Sequence, residues 1–281
     1  MASMRAHRWP RLVRAASTAI LAVAAAGAAE VPAPAVTIPE PFPVGEQLSY
    51  GVSWMGIHCG RMDILSFAEP RAEGAPIYRI VVFARTTRFF DGIHKVRTRL
   101  DSFFDPVAMT SVRYEERSLE KKRRKEETWI FDVETGSVSR MKNGEASTIE
   151  VGAERAYDPL AFIFRLRETA GEVGDSAVLA LMTSKGAVET VARTTEAGEV
   201  RTKLGRCDAV SVVPEPQDRM LFSKSGAMVV WVETDPPHRP CRIEFDLSFG
   251  KLVANLAGVE ALEGPALPPE WARWDPMAEG E

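Results

Sequence analysis

Along most of the chain the apolar residues recur at every second position, the period that sends alternate side chains to opposite faces of a strand. In Glu46-Gln47-Leu48-Ser49-Tyr50-Gly51-Val52-Ser53-Trp54 the residues Leu48, Tyr50, Val52 and Trp54 share one face, and Met62 and Ile64 continue the pattern beyond a turn around Gly56 and Gly60. Further strands are predicted at 77–85, 95–104, 109–119 and 127–133, the last with Trp129 and Phe131 on one side. The second half repeats the rhythm at 177–182, 187–193, 200–204, 207–213, 228–233, 242–247 and 252–262. Between them stand turn residues such as Asp105-Pro106, Thr135-Gly136, Asn143-Gly144, Ala197-Gly198 and Asp235-Pro236-Pro237. Short strands separated by such turns predict a mostly β, antiparallel sheet rather than βαβ units. A sheet this large should curl, giving a curved sheet or half-open barrel.

One segment breaks the alternation. Tyr157-Asp158-Pro159-Leu160-Ala161-Phe162-Ile163-Phe164-Arg165-Leu166-Arg167 opens with a capping Asp and a proline at the first helical position, followed by good helix formers. The Asp oxygen accepts from free amides and proline lacks the amide that would be orphaned, so a helix starts here. Leu160, Ile163, Phe164 and Leu166 are expected to pack into the hollow of the sheet, with Arg165 and Arg167 reaching out past the helix end. Two roles stay open: the helix plugs the core, or it lines a ligand cavity.

The ends of the chain read differently. Residues 1–29 have the three parts of a secretory signal: Arg5, Arg8, Arg11 and Arg14, then an apolar run from Ala15 to Ala25, then small residues that offer cleavage after Ala28 or Ala29. A retained anchor is the alternative, although the run is shorter than the roughly 20 residues that span a bilayer. Cleavage removes four arginines and no acids from a chain whose net charge is already −4. Such an acidic chain is a poor partner for nucleic acid, whose binding rests on Lys and Arg neutralising phosphates. The proline-rich residues 30–43 are expected to form an extended tether, 44–263 a single β-rich domain, and 264–281 a flexible tail carrying Trp271 and Trp274 that could dock on the surface.

The stretches FPVGEQLSYGVSWMGIHCGRMDI, YDPLAFIFRLR and WVETDPPHRPCRIEFDL resemble, in order, three signatures of the exported bacterial family called domain of unknown function 3108. The matching positions are Pro43, Gly45, Glu46, Leu48, Tyr50, Gly56, Gly60, Asp158, Pro159, Arg167, Thr234, Asp235, Pro240 and Arg242, within a likeness spanning roughly residues 40 to 260. The resemblance implies a periplasmic or otherwise exported β-rich domain with a Sec-type signal and no established activity. By shape such domains are similar to the curved half-barrels that carry lipoproteins across the periplasm, wrapped around one central helix, which is an analogy of fold alone.

Catalytic chemistry is thin. His58, His94 and His238 have no ligand spacing, so no metal or cofactor is expected. Cys59, Cys207 and Cys241 allow at most one internal disulfide, and Cys207–Cys241 is the pair to test. Cys59 as a nucleophile needs a base, and His58 as its sequence neighbour points away from it on a strand. No nucleophile-elbow, zinc-protease or phosphate-loop motif is present. The run from Glu115 to Glu127 is expected to be a long hairpin whose cations Lys121, Lys122, Arg123, Arg124 and Lys125 project into solvent, where they protect an edge or touch an anionic envelope surface; a helix is also open for this run.

The expectation for function is a non-enzymatic exported protein that binds a hydrophobic or lipid-like ligand, or a partner's segment, in cell-envelope maintenance. Trp54, Tyr78, Phe83, Trp129, Phe131 and Phe164 are the candidate lining, each of which could equally be core. The alternative is an envelope hydrolase using carboxylates such as Asp101, Asp105 and Asp235. Ligand, partner and oligomeric state are not written in the sequence.

Overall fold

The computed structural model describes residues 42–153, 155–216, 227–247 and 250–278; the expected export signal and nearly all of the tether lie outside them. Fourteen strands form one sheet. They are β1 Glu46–Trp54, β2 Ile57–Glu69, β3 Ile77–Thr86, β4 Val96–Asp105, β5 Thr110–Glu120, β6 Arg123–Asp132, β7 Ser137–Lys142 and β8 Glu145–Glu150, then β9 Ser176–Thr183, β10 Gly186–Thr202, β11 Gly205–Pro216, β12 Met228–Glu233, β13 Pro240–Leu247 and β14 Gly250–Ala261. Helices α1 (Arg88–His94), α2 (Pro159–Leu166) and α3 (Pro269–Ala272) join them.

The spatial order is β8-β7-β6-β5-β4-β3-β2-β1-β14-β13-β12-β11-β10-β9, with neighbours antiparallel throughout. Two meanders, β1–β8 and β9–β14, therefore meet where β1 pairs with β14. Laid flat, such a sheet would be about 60 Å wide. Yet alternate residues from nearly every strand, Leu48 on β1 through Trp129 on β6 and from Leu179 on β9 to Leu256 on β14, belong to one apolar cluster, so the sheet is strongly curved. It is not closed. Its edges β8 and β9 are bridged by the segment between β8 and α2: the Ala187 amide donates to the Val151 carbonyl, the Tyr157 amide to Ala180, and the Met182 amide to the Tyr157 carbonyl.

Helix α2 starts where its sequence says. The Asp158 carboxylate accepts from the Leu160 and Ala161 amides, and Pro159 occupies the first turn. Leu160, Ala161, Phe162, Phe164 and Leu166 are buried in the cluster of the curved sheet, against β4 and β9. Burying side chains of this size contributes about 1.5–3 kcal/mol each.

Several expectations need correction. Ala197-Gly198 is not a turn: β10 runs straight through it for 17 residues, bulged between Thr194 and Glu196, and the two strands predicted there are one. β7 and β8 escaped the pattern because their side chains are mostly polar, and those of β8 are nearly all exposed. Helix α1 also went unread. Phe42, assigned to the tether, is core, with its ring 5.0 Å from Phe164, 5.4 Å from Phe104 and 5.5 Å from Tyr78. Neither arginine of α2 reaches outward. Arg165 lies over the Tyr157 ring, and Arg167 is buried. In the tail, where docking of the two tryptophans stood open beside flexibility, Trp271 stacks on Phe83 at 4.5 Å and Trp274 meets it edge-on at 5.3 Å, covering Leu65, Phe67 and Val81 on the convex face.

Candidate functional site

Strand registers give the curved domain two poles. At one lie Glu46, the end of α2 and the β12–β13 turn; at the other, called the rim below, lie Trp54, the β1–β2 turn, α1 and the β5–β6 hairpin.

The first pole is held by a polar clasp. Arg167 Nη1 donates to Glu46 Oε1 at 2.8 Å, Nε donates to the His238 carbonyl at 2.9 Å, and Nη2 to the Pro237 carbonyl at 2.9 Å. Glu46 Oε2 takes a further hydrogen bond from Arg239 at 3.1 Å. The Tyr50 hydroxyl donates to the Pro240 carbonyl at 2.7 Å, and burial pushes that phenol well above its ordinary range. Buried charge is tolerated only when paired and hydrogen-bonded, and here each Arg167 nitrogen has an acceptor. The clasp ties the first strand, the helix end and the turn between β12 and β13. Asp158 is a second knot: besides the two amides it accepts from Ser102 and Ser111 hydroxyls at 2.6 Å each. Burial raises its carboxyl above the usual range despite those donors.

The concave face changes character toward the rim. Near the clasp it is filled by α2 and the buried cluster. Closer to the rim the inward residues Val52, Met62, Leu100, Met228 and Phe245 pack against that cluster and remain partly exposed. Trp54 and Leu252 pair at the same level. Beside this apolar patch the inner face of β5–β7 is charged. Glu127 accepts from Lys125 at 2.8 Å, from the Trp129 indole at 2.9 Å and from Arg140. Burial alone would raise the Glu127 carboxyl, but hydrogen bonds from Lys125, Trp129 and Arg140 hold it down to about 2. Lys125 also pairs with Glu116 at 2.7 Å. The face thus offers an apolar floor with a fixed, neutralised charge network along one flank.

The family model described as "Protein of unknown function (DUF3108)" matches residues 49–257. The chain belongs to this family. Among solved structures, a beta-barrel-like protein of domain of unknown function DUF1849 from Brucella abortus is similar, with a TM-score of 0.52 and 11% identity over 79% of this chain and 99% of that one. No curated protein matches the chain. That structure shares the fold of this DUF3108 domain and nothing finer.

The DUF3108 resemblance positions now have physical roles. Glu46, Tyr50, Arg167 and Pro240 make the clasp, while Asp158 and Pro159 start α2. Asp235 shapes the turn, its carbonyl accepting from the His238 amide, so that carbonyls 237 and 238 face Arg167. Gly45 adopts a φ of +88°, and at Gly60 a Cβ would stand 2.6 Å from the Arg85 carbonyl, so no side chain fits between β2 and β3 there.

Of the six predicted lining residues, Tyr78, Trp129 and Phe164 are buried core and Phe131 packs against it. Trp54 is half-buried at the rim. Phe83 is a correction: it points to the convex face under the two tail tryptophans, because its strand position is odd relative to Tyr78, Ile80 and Val82. A shallow groove of about 320 Å³ lies elsewhere, over Thr128, Ile130, Ser139 and Met141 near edge β8. Among the predicted surface cations, Lys121 and Lys122 form the hairpin tip and Arg123 and Arg124 are exposed, whereas Lys125 is turned inward to Glu116 and Glu127. The residues sequence reading missed for the face are Met62, Leu100, Met228 and Phe245; alternation could have found them had the strand level been known.

The carboxylates proposed for hydrolysis do not converge. Asp101 is buried between Arg79 and Arg99, and Asp105 accepts from the amides of Val107 and Ala108. Four residues apart on a strand, the two sit about 13 Å from each other. Asp235 lies in the β12–β13 turn. Cys59 is buried and its thiol is raised by burial, the opposite of an activated nucleophile. No group of His, Cys, Asp and Glu suited to a metal ion occurs among the described residues.

Proposed function

We propose that this chain is a non-enzymatic exported protein that binds a hydrophobic or lipid-like ligand on the rim half of its concave face, in the upkeep of the cell envelope. In this reading the sheet wraps around α2, which fills the clasp half and leaves the other half for a guest. The supporting observation is the row Val52, Met62, Leu100, Met228 and Phe245, apolar side chains that face inward, pack against the buried cluster and stay partly exposed. Such a surface gains about 25 cal/mol for each Å² removed from water and needs no reacting group. The alternative hydrolase finds no support in Asp101, which two arginines occupy.

The test is fluorescence titration with 1-N-phenylnaphthylamine, followed by displacement with palmitate. Binding should enhance probe emission, and palmitate should reverse it. The variant Leu100→Asp/Phe245→Asp, checked for folding by circular dichroism, should bind at least tenfold more weakly. No enhancement by the natural chain, or equal affinity in the folded variant, would overturn the reading.

A further inference from the structure

The rim gathers features that the ligand reading does not use. Phe89, Ile93, Met55 and Ile57 are 73%, 57%, 65% and 59% exposed, and these four lie on adjacent segments at the rim. Met55 and Ile57 flank the β1–β2 turn, and the Met55 amide donates to the Lys251 carbonyl at the start of β14. Next comes α1, attached to β2 by the Thr87 amide on the Cys59 carbonyl at 2.9 Å. Its Phe90 is buried, while Phe89 and Ile93, four residues apart, share the outward side. Then comes the β5–β6 tip, joined to the end of α1 by the Lys121 amide on the Lys95 carbonyl at 2.7 Å.

Charge follows the same line. Arg85, Arg88, Lys121, Lys122, Arg123 and Arg124 are exposed at or beside the rim, with Glu120 among them. At the clasp pole the exposed turns carry Arg71 and Glu73, and Asp132 and Glu134. At the rim these cations are interleaved with exposed Phe, Ile and Met.

We propose that the rim is a docking surface for an anionic lipid bilayer, with Met55, Ile57, Phe89 and Ile93 entering the headgroup region and the Lys121–Arg124 tip meeting lipid phosphates. Apolar side chains at a membrane boundary add affinity through buried area, and each cation near an anionic surface is worth about fivefold in partition. The inference goes beyond the ligand reading and stands without it, because Met55, Ile57, Phe89 and Ile93 are exposed whether or not the concave face holds a guest.

The experiment is hydrogen exchange on the full chain with vesicles of phosphatidylcholine alone or of phosphatidylcholine and phosphatidylglycerol at 7:3. The expected result is slowed exchange at 55–57, 87–95 and 119–124 with the anionic vesicles only, relieved by high salt. Phe89→Asp/Ile93→Asp and Lys121→Glu/Lys122→Glu/Arg123→Glu/Arg124→Glu should each abolish that protection and weaken vesicle partition more than tenfold, with exchange elsewhere unchanged. Rim exchange indifferent to lipid charge overturns the proposal, even if the chain associates with vesicles by another segment. Rim protection by a second copy, seen as a concentration-dependent dimer without vesicles, overturns it too.

Discussion

Arg167 keeps 1% of its side-chain surface exposed, and its charge is answered by one carboxylate and two carbonyls. Removing one partner from a buried pair leaves the other stranded, at about 3–5 kcal/mol. Urea unfolding of Arg167→Leu should therefore show a loss of that size, while Glu46→Leu/Arg167→Leu should lose less than the sum of the single changes. Simple additivity would mean the two residues do not act as a pair. Glu127 adds a pH dependence. Its carboxyl is held at about 2 against an ordinary 4.5, so the stability it brings is fully present above about 4.5 and is lost as the pH falls toward 2. The effect is at most about 3 kcal/mol. The stability gap between the natural chain and Glu127→Gln should narrow over that window in acid titrations followed by circular dichroism; a constant gap would contradict the assignment. Asp158 works in the opposite sense: its raised carboxyl favours the fold when protonated, and that contribution fades as the pH rises. None of this was legible in the sequence. A polar side chain at a helix end reads as exposed, and only the arrival of β1 and the β12–β13 turn from distant parts of the chain makes Arg167 interior.

At the scale of elements, the Asp158-Pro159 start and most strands were readable because both rest on local rules, a cap geometry and a period of two. Long β10 was not, since Ala197-Gly198 looks like a turn and is kept extended by pairing with β11. Edge strand β8 has almost no buried side chain, so no alternation marks it. Strands β11 and β13 bring Cys207 and Cys241 into one small cluster on the convex face beside Trp231, whose carbonyl accepts from the Cys241 thiol at 3.5 Å. Burial raises both thiols, so the pair reacts slowly. With oxidised glutathione the two thiols should become one disulfide, the glutathione disulfide leaving as two thiols. Free thiols should fall from three to one and the protein lose two hydrogens in mass. Closing a loop of this length should raise stability by about 3–4 kcal/mol. Three thiols surviving the treatment would refute the pairing.

For the whole molecule, the curved antiparallel sheet was legible from composition of turns and alternation, whereas which inward residues are buried and which stay partly exposed was not. That difference depends on which level of each strand faces α2, a matter of register between residues as far apart in sequence as Glu46 and Ala261. The pairing of β1 with β14 has a practical consequence. The Leu262 amide donates to the Gly45 carbonyl, so the chain enters and leaves the sheet at one spot, about 30 Å along β1 from Trp54. An affinity handle grafted ahead of Phe42 therefore pins the domain by its clasp end. On a sensor chip, molecules held that way would all present their bare aromatic lip and cationic hairpin outward, in a single orientation.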